Sequence, residues 1–225
     1  MNILLRTAAV LLTITICIVS PVTAATSQGL EWNLDESDRF QYQLRVEIGD
    51  NVTVDDEFTI EITDCPTIPQ TVDDWREIPS LGLDMRWING SSMTEYNETI
   101  LDDIAYVGGR VGVPLGNWTL LAELFSAWYA EIPVALDQLT FIDGHYYWGV
   151  DTRSVGQLYR ILYLKEDGFL AEFEVHFYIS SFSAGLTVTR DALPSDIQVL
   201  FMDNLVYIAI AAVAVVIVVV AWKRR

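Results

Sequence analysis

Histidine is nearly missing from this chain. Only His145 and His176 occur in 225 residues, so a three-histidine metal site cannot form within one copy. Cysteine is as scarce. Cys17 lies in an N-terminal apolar run, and Cys65 stands alone beyond it. With the leader removed, no intrachain disulfide can form, and the domain must rely on its packed core. Cys65 reads as a small buried apolar residue, with an interchain bridge as the other option.

Positive charge is also short. Over Thr26 to Asn204, nine basic side chains stand against all 31 acidic ones, a balance of −22. Lys165 is the only lysine there, beside eight arginines. A field of that sign repels phosphate backbones and anionic headgroups. It argues against nucleic acid and leaves cations and basic proteins as compatible partners. High charge can also mean disorder, but this region is rich in Trp, Tyr, Phe and Ile, and about 180 such residues can bury one core. One domain is expected, with two small halves as the alternative.

Several chemical motifs are absent. No H-E-x-x-H places two imidazoles on one helical face, and no G-x-S-x-G presents a serine nucleophile. The run "GGRVGVPLG" lacks the Gly-Lys-[Ser/Thr] of a phosphate loop, so its glycines read as turns. Acidic clusters such as Asp55-Asp56-Glu57, Asp73-Asp74 and Asp102-Asp103 do not follow calcium-loop spacing and read as solvated turns. A glycosidase could use two carboxylates far apart in sequence, but no pair stands out. No cofactor is implied.

The two ends carry the strongest signals. Ala8 to Val19 is a 12-residue run, apolar but for two Thr, after a basic start and before Val22-Thr23-Ala24. That is the three-part pattern of a secretory signal, with cleavage expected near Ala24 or Ala25 and an uncleaved anchor as the alternative. Leu205 to Trp222 has 18 residues without a charge. As a helix it reaches roughly 27 Å, close to the hydrocarbon thickness. Tyr207 and Trp222 lie near its ends, and Lys223-Arg224-Arg225 follow, which puts the tail in the cytoplasm. The run has no Gly and no two Ala four apart, so it reads as an anchor rather than a dimerisation helix.

Four N-x-[ST] sequons occur, at Asn51, Asn89, Asn97 and Asn117, among six asparagines from Thr26 to Asn204. Roughly one is expected by chance, so the excess favours N-glycosylation. Asn117 could instead cap a helix, and Asn89-Gly90 is also a turn signal.

Between the ends the pattern is mostly that of strands. Arg39–Gly49 alternates, with Phe40, Tyr42, Leu44, Val46 and Ile48 on one face. Glu57–Thr63 repeats this with Phe58, Ile60 and Ile62, and "GDNVTVDD" between them reads as the turn of a hairpin. Leu81–Ile88 alternates again, Tyr106–Gly116 reads as a loop, and Asn117 opens a helix carrying Leu120, Leu121, Leu124, Phe125 and Trp128. Gln157–Leu164 and Phe169–Ser180 flank the turn "KEDG", and Phe182–Arg190 adds a strand. In "FIDGHYYWGVD", Asp143-Gly144 reads as a turn. Tyr146 and Trp148 then face one side of a strand, and His145 and Tyr147 the other. Aromatic packing is the simpler role here, but the His145–Tyr147 face is the first place to seek a polar site.

The expected fold is a mostly antiparallel β or α+β ectodomain with one main amphipathic helix, plus one C-terminal transmembrane helix. The expected division is 1–25 signal, 26–190 extracellular β-rich domain, 191–204 stalk, 205–222 span and 223–225 cytoplasmic tail. With its four sequons, Met1–Ala25 leader, Leu205–Trp222 span and basic tail, the chain resembles uncharacterised archaeal single-pass surface proteins. Leu193-Pro194-Ser195-Asp196 departs from the LPxTG sortase pattern, and no Pro-Gly-Phe precedes the span, so the span should persist. The resemblance implies a plasma-membrane location with the N-terminal domain outside, and no particular activity. The leading functional expectation is a non-enzymatic binding, adhesion or envelope-scaffold module with protein, glycan or cation partners. The alternatives are a lipid or small apolar ligand carrier, with a cavity between sheet and helix, and an ectoenzyme of hydrolase type.

Overall fold

A computed structural model describes residues 25–131, 138–179, 182–210 and 214. All but the last residue of the leader expected over 1–25, most of the span expected over 205–222 and the tail 223–225 lie outside the described residues. The described strands are β1 (Arg39–Ile48), β2 (Asn51–Asp64), β3 (Gly82–Trp87), β4 (Gln138–Asp143), β5 (Tyr147–Ser154), β6 (Gln157–Leu164), β7 (Leu170–Ile179) and β8 (Phe182–Arg190). They form one sheet in the order β3-β2-β1-β8-β7-β6-β5-β4. Every neighbouring pair is antiparallel, so pairing of β1 with β8 joins a three-stranded meander to a five-stranded one.

Alternating apolar residues give the sheet one buried face. Leu44, Val188, Phe173, Ile161, Val150 and Phe141 lie opposite one another in a single row across six strands. Each aliphatic or Phe side chain fully buried there contributes roughly 1.5–3 kcal/mol. Tyr42 and Phe58 pair across β1 and β2 and stack at 5.4 Å. Ile48, expected inward with Tyr42 and Leu44, is exposed because it sits at the hairpin end. The turn there is shorter than "GDNVTVDD" suggests. Gly49 and Asp50 alone make it, since Ile48 pairs with Asn51. Gly49 takes φ +61, which a tight two-residue turn needs and other residues resist.

The buried face is covered by two helices rather than one, α1 (Thr94–Tyr106) and α2 (Trp118–Ala130). The helix expected after Asn117 is α2. Its Asn117 cap accepts a hydrogen bond from the Leu120 amide at 3.1 Å, and Leu121, Leu124, Phe125 and Tyr129 are buried. Helix α1 corrects the expectation of a single main helix. It buries Ile100 and Ile104 and sets Tyr96 edge-on to Trp87 of β3. It ends where the Gly109 amide donates to the Ile104 carbonyl and Gly108 turns left-handed at φ +74. That is a glycine-terminated helix end. A one-turn 3-10 helix, Trp75–Glu77, sends Trp75 into the same layer.

The segment expected as a stalk contains a third helix, α3 (Asp196–Asp203), capped by Ser195. It lies over one corner of the sheet's outer face, where Tyr147, Leu162, Glu172 and Thr189 form the floor of a groove. After a turn at Asn204 the chain is helical again over residues 205–210. No helix among the described residues is long and apolar enough to cross a membrane.

Candidate functional site

His145 and Tyr147 do not share a strand, but both lie against the end of α3. His145 belongs to the β4–β5 turn, closed by the Gly144 amide on the Tyr147 carbonyl at 2.9 Å, and its imidazole is exposed. Its backbone amide donates to Asp203 Oδ1 at 2.5 Å, tying the turn to the end of α3. Tyr147 opens β5 and lies in the groove under α3, where burial and then the nearby Glu172 and Asp196 push its phenol up. Trp148 faces the core as expected, at 2% exposure.

The outer face of the sheet carries a charge network instead. Arg45, Thr187, Glu174, Arg160, Asp151 and Thr140 occupy one cross-strand row. Arg160 therefore sits between two carboxylates, 3.2 Å from Asp151 and 3.6 Å from Glu174, with Glu172 at 3.8 Å. Asp151 is 9% exposed and also takes Arg153 at 3.1 Å. Burial raises its carboxyl, but hydrogen bonds from Arg153 and Arg160 outweigh this and hold it below the usual range. Glu172 goes the other way, because burial outweighs the pull of Arg160. His176 meets Glu174 at 2.8 Å and packs over Gly185 of the neighbouring strand. Among the described residues no group of three or more His, Cys, Asp or Glu is placed to hold a metal ion.

The space where a carrier would hold an apolar ligand, between sheet and α2, is filled. Trp148 meets Trp118, Tyr163, Phe141 and Trp75 with ring centroids 5.6–6.5 Å apart, and Phe125 of α2 meets Trp75 and Phe141. The fold opens elsewhere. A half-open cavity of about 470 Å³ lies where α1 ends, between Trp75, Trp128 of α2 and the Gly108–Gly112 segment. Arg110 lines it. Its amide donates to the Tyr163 hydroxyl and its carbonyl accepts from that hydroxyl, both at 2.9 Å. Its guanidinium donates to Ser80 Oγ at 2.9 Å and to the Trp75 carbonyl at 3.0 Å, and lies 5.8 Å from the Trp75 ring centre. Neither the outer-face network nor this cavity was among the sites expected from sequence. Both depend on which residues the strand register and the α1–α2 connection bring together.

The four sequons differ in access. Asn51 and Asn89 are exposed, at the start of β2 and in the turn after β3. Asn89 Oδ1 accepts from the Ser91 amide and hydroxyl. Asn97 is half-buried in α1, with Oδ1 shielded from solvent and unpartnered. Asn117 spends its nitrogen on the Gln28 carbonyl at 3.0 Å while its oxygen caps α2. Cys65 is a free thiol, pushed up by burial and then by the surrounding carboxylates, which makes it a poor nucleophile. Neither a protein-family model nor a curated protein matches this chain.

Proposed function

We propose that this chain is a membrane-anchored extracellular surface protein whose β-rich ectodomain acts as a non-enzymatic binding module, comparable to the archaeal surface proteins that it resembles in layout. The observation that carries the reading is the apolar stripe on α3. Ile197, Leu200 and Phe201 are 80, 67 and 49% exposed. They fall on one helical face, and beyond the turn at Asn204 the apolar residues Leu205, Val206, Tyr207, Ile208 and Ile210 are exposed as well, in the uncharged run that ends at Trp222. A soluble domain gains nothing by wetting such a stripe, whereas a bilayer surface covers it. Helix α3 is tied to the domain through Asp203, which accepts from the His145 amide. The ectodomain would then stand directly on the outer leaflet rather than swing on a flexible tether.

The test is membrane topology. In intact cells, an exterior protease should remove the ectodomain while a tag placed after Arg225 stays protected, and alkaline carbonate should leave the protein in the membrane pellet. Release by carbonate, or cleavage of the tag from outside, overturns the reading.

A further inference from the structure

We propose that the cavity beside Arg110 binds a small apolar carboxylate. The proposal takes up the binding-module reading and names its ligand class. It starts from an imbalance of partners. Of the nine basic side chains between Thr26 and Asn204, eight lie within 4 Å of a carboxylate, among them Arg76 at the rim of this cavity, which is held by Asp74 and Glu131. Arg110 makes no such ion pair among the described residues. In a chain with 31 acids this is not for want of partners.

The Arg110 guanidinium is held by neutral acceptors only, Ser80 Oγ and the Trp75 carbonyl, and its Nε is shielded without a partner. Burial also weakens its hold on its proton. A partly desolvated cation without a counter-charge is costly, and an arriving anion relieves that cost. The walls define the rest of the ligand. Trp75 commits its indole N–H to the Gly108 carbonyl at 2.7 Å, so what it offers the cavity is apolar ring. Leu81, Leu101, Ile104 and Trp128 complete an apolar lining. The volume, about 470 Å³, falls within the roughly 300–1,000 Å³ usual for small-molecule sites.

One unpaired cation in a domain of charge −22 favours a monoanion, because each extra negative charge on the ligand is repelled by the surrounding field. A planar carboxylate also matches the two-pronged donor geometry of a guanidinium. Asp102, exposed at the mouth, disfavours a second carboxylate on the same ligand.

The experiment is calorimetric titration of the full chain in nanodiscs with 3-phenylpropanoate, against empty nanodiscs as blank. 3-Phenylpropanol, 3-phenylpropylamine and phenyl phosphate serve as neutral, cationic and dianionic controls. Saturable binding of the carboxylate at least tenfold tighter than any control is expected, together with at least a tenfold loss in Arg110→Gln. Because Arg110 also props Trp75, a second variant leaves it untouched. Ala105→Trp, at an exposed position lining the cavity, should block binding while the melting temperature stays within a few degrees. Equal binding of alcohol and carboxylate, undiminished binding in folded Arg110→Gln, or no saturable binding up to 10 mM overturns the proposal. None of these outcomes changes protease protection or carbonate extraction, so the topology reading stands or falls separately.

Discussion

Replacing Trp148 by Ala tests whether the layer between sheet and helices is a packed core or a ligand chamber. Trp148 is 2% exposed and touches four other aromatic rings, from β4, β6, α2 and the 3-10 turn. Burying a Trp removes about 150–250 Å² from water. At about 25 cal/mol per Å² that is roughly 4–6 kcal/mol, an upper bound because unfolded chains already hide part of that surface. Trp-to-Ala replacements in packed cores cost about 3–5 kcal/mol, since neighbours only partly collapse into the space. For a domain of this size each kcal/mol moves Tm by about 2–4 °C, so a fall of about 6–20 °C is expected. The assay is thermal unfolding of the full chain in nanodiscs, followed by near-ultraviolet circular dichroism. Trp148→Phe keeps most ring contacts and should lose less than half as much. A fall below about 3 °C in Trp148→Ala would mean that the ring is not gripped on all sides, and the carrier reading would regain its cavity.

Three further outcomes follow from particular contacts. Gly108→Ala should cost about 2 kcal/mol or more, about 4–8 °C in Tm, because L-residues resist the left-handed conformation. The new Cβ would also sit 1.9 Å from the Trp128 ring, so scanning calorimetry should show the loss in an otherwise folded protein. Asp151→Asn should destabilise at pH 7 towards the low end of about 3–5 kcal/mol, since Arg160 keeps Glu174 and Arg153 is exposed. The Asp151 carboxyl is depressed, so its contribution is present above about pH 4, the unfolded value, and is lost as pH falls through the folded one. Wild type and variant should therefore converge in Tm in acid. Glu172, raised by burial, runs oppositely: its contribution is present below about pH 4.3 and is lost as pH rises through its folded value, so the convergence belongs to Asp151. Mass spectrometry of the native protein should find glycan at Asn51 and Asn89 and bare side chains at Asn97 and Asn117. Modification of Asn117 would break a bond to Gln28 and disturb a cap contributing about 1 kcal/mol.

The strands were legible because their apolar residues alternate. β6 and β8 fall where the alternation places them, and Phe58, Ile60 and Ile62 face inward. Helix α2 was legible because Asn117 announces it. Helix α1 was not, because its N-cap position is Met93, which offers no side-chain oxygen to the first turn. Asp102 and Asp103 further dilute its apolar face. Its sequence signal was the Gly108-Gly109 pair closing an Ile100–Ile104 stripe, which can be read equally well as loop glycine. The short β1–β2 turn was missed for a different reason. Asn51, Thr53, Asp55 and Asp56 are turn-forming types, and only pairing with β1 makes them strand. Register also explains the unforeseen network. Asp151, Arg160 and Glu174 are spread over three strands, and nothing local says they share a row.

The position of the cavity follows from the same constraints. Aromatic packing takes up the inner face of the sheet and ion pairs the middle of the outer face, and this cavity lies instead at the α1–α2 connection. Between α1 and α2 the chain must end one helix, cross Trp75 and begin another within the eleven residues from Val107 to Asn117. Gly108 and Gly109 make that crossing possible, because side chains there would strike Trp128, Ile104 and Ile161. The next residue, Arg110, lines the cavity. Tyr163 holds the Arg110 backbone, and Ser80 Oγ and the Trp75 carbonyl hold its guanidinium, beside the turn that ends α1. The unpaired charge is thus fixed by the way α1 terminates. A variant that changes the termination, such as Gly108→Ala, should alter ligand binding and stability together, whereas Ala105→Trp should alter binding alone.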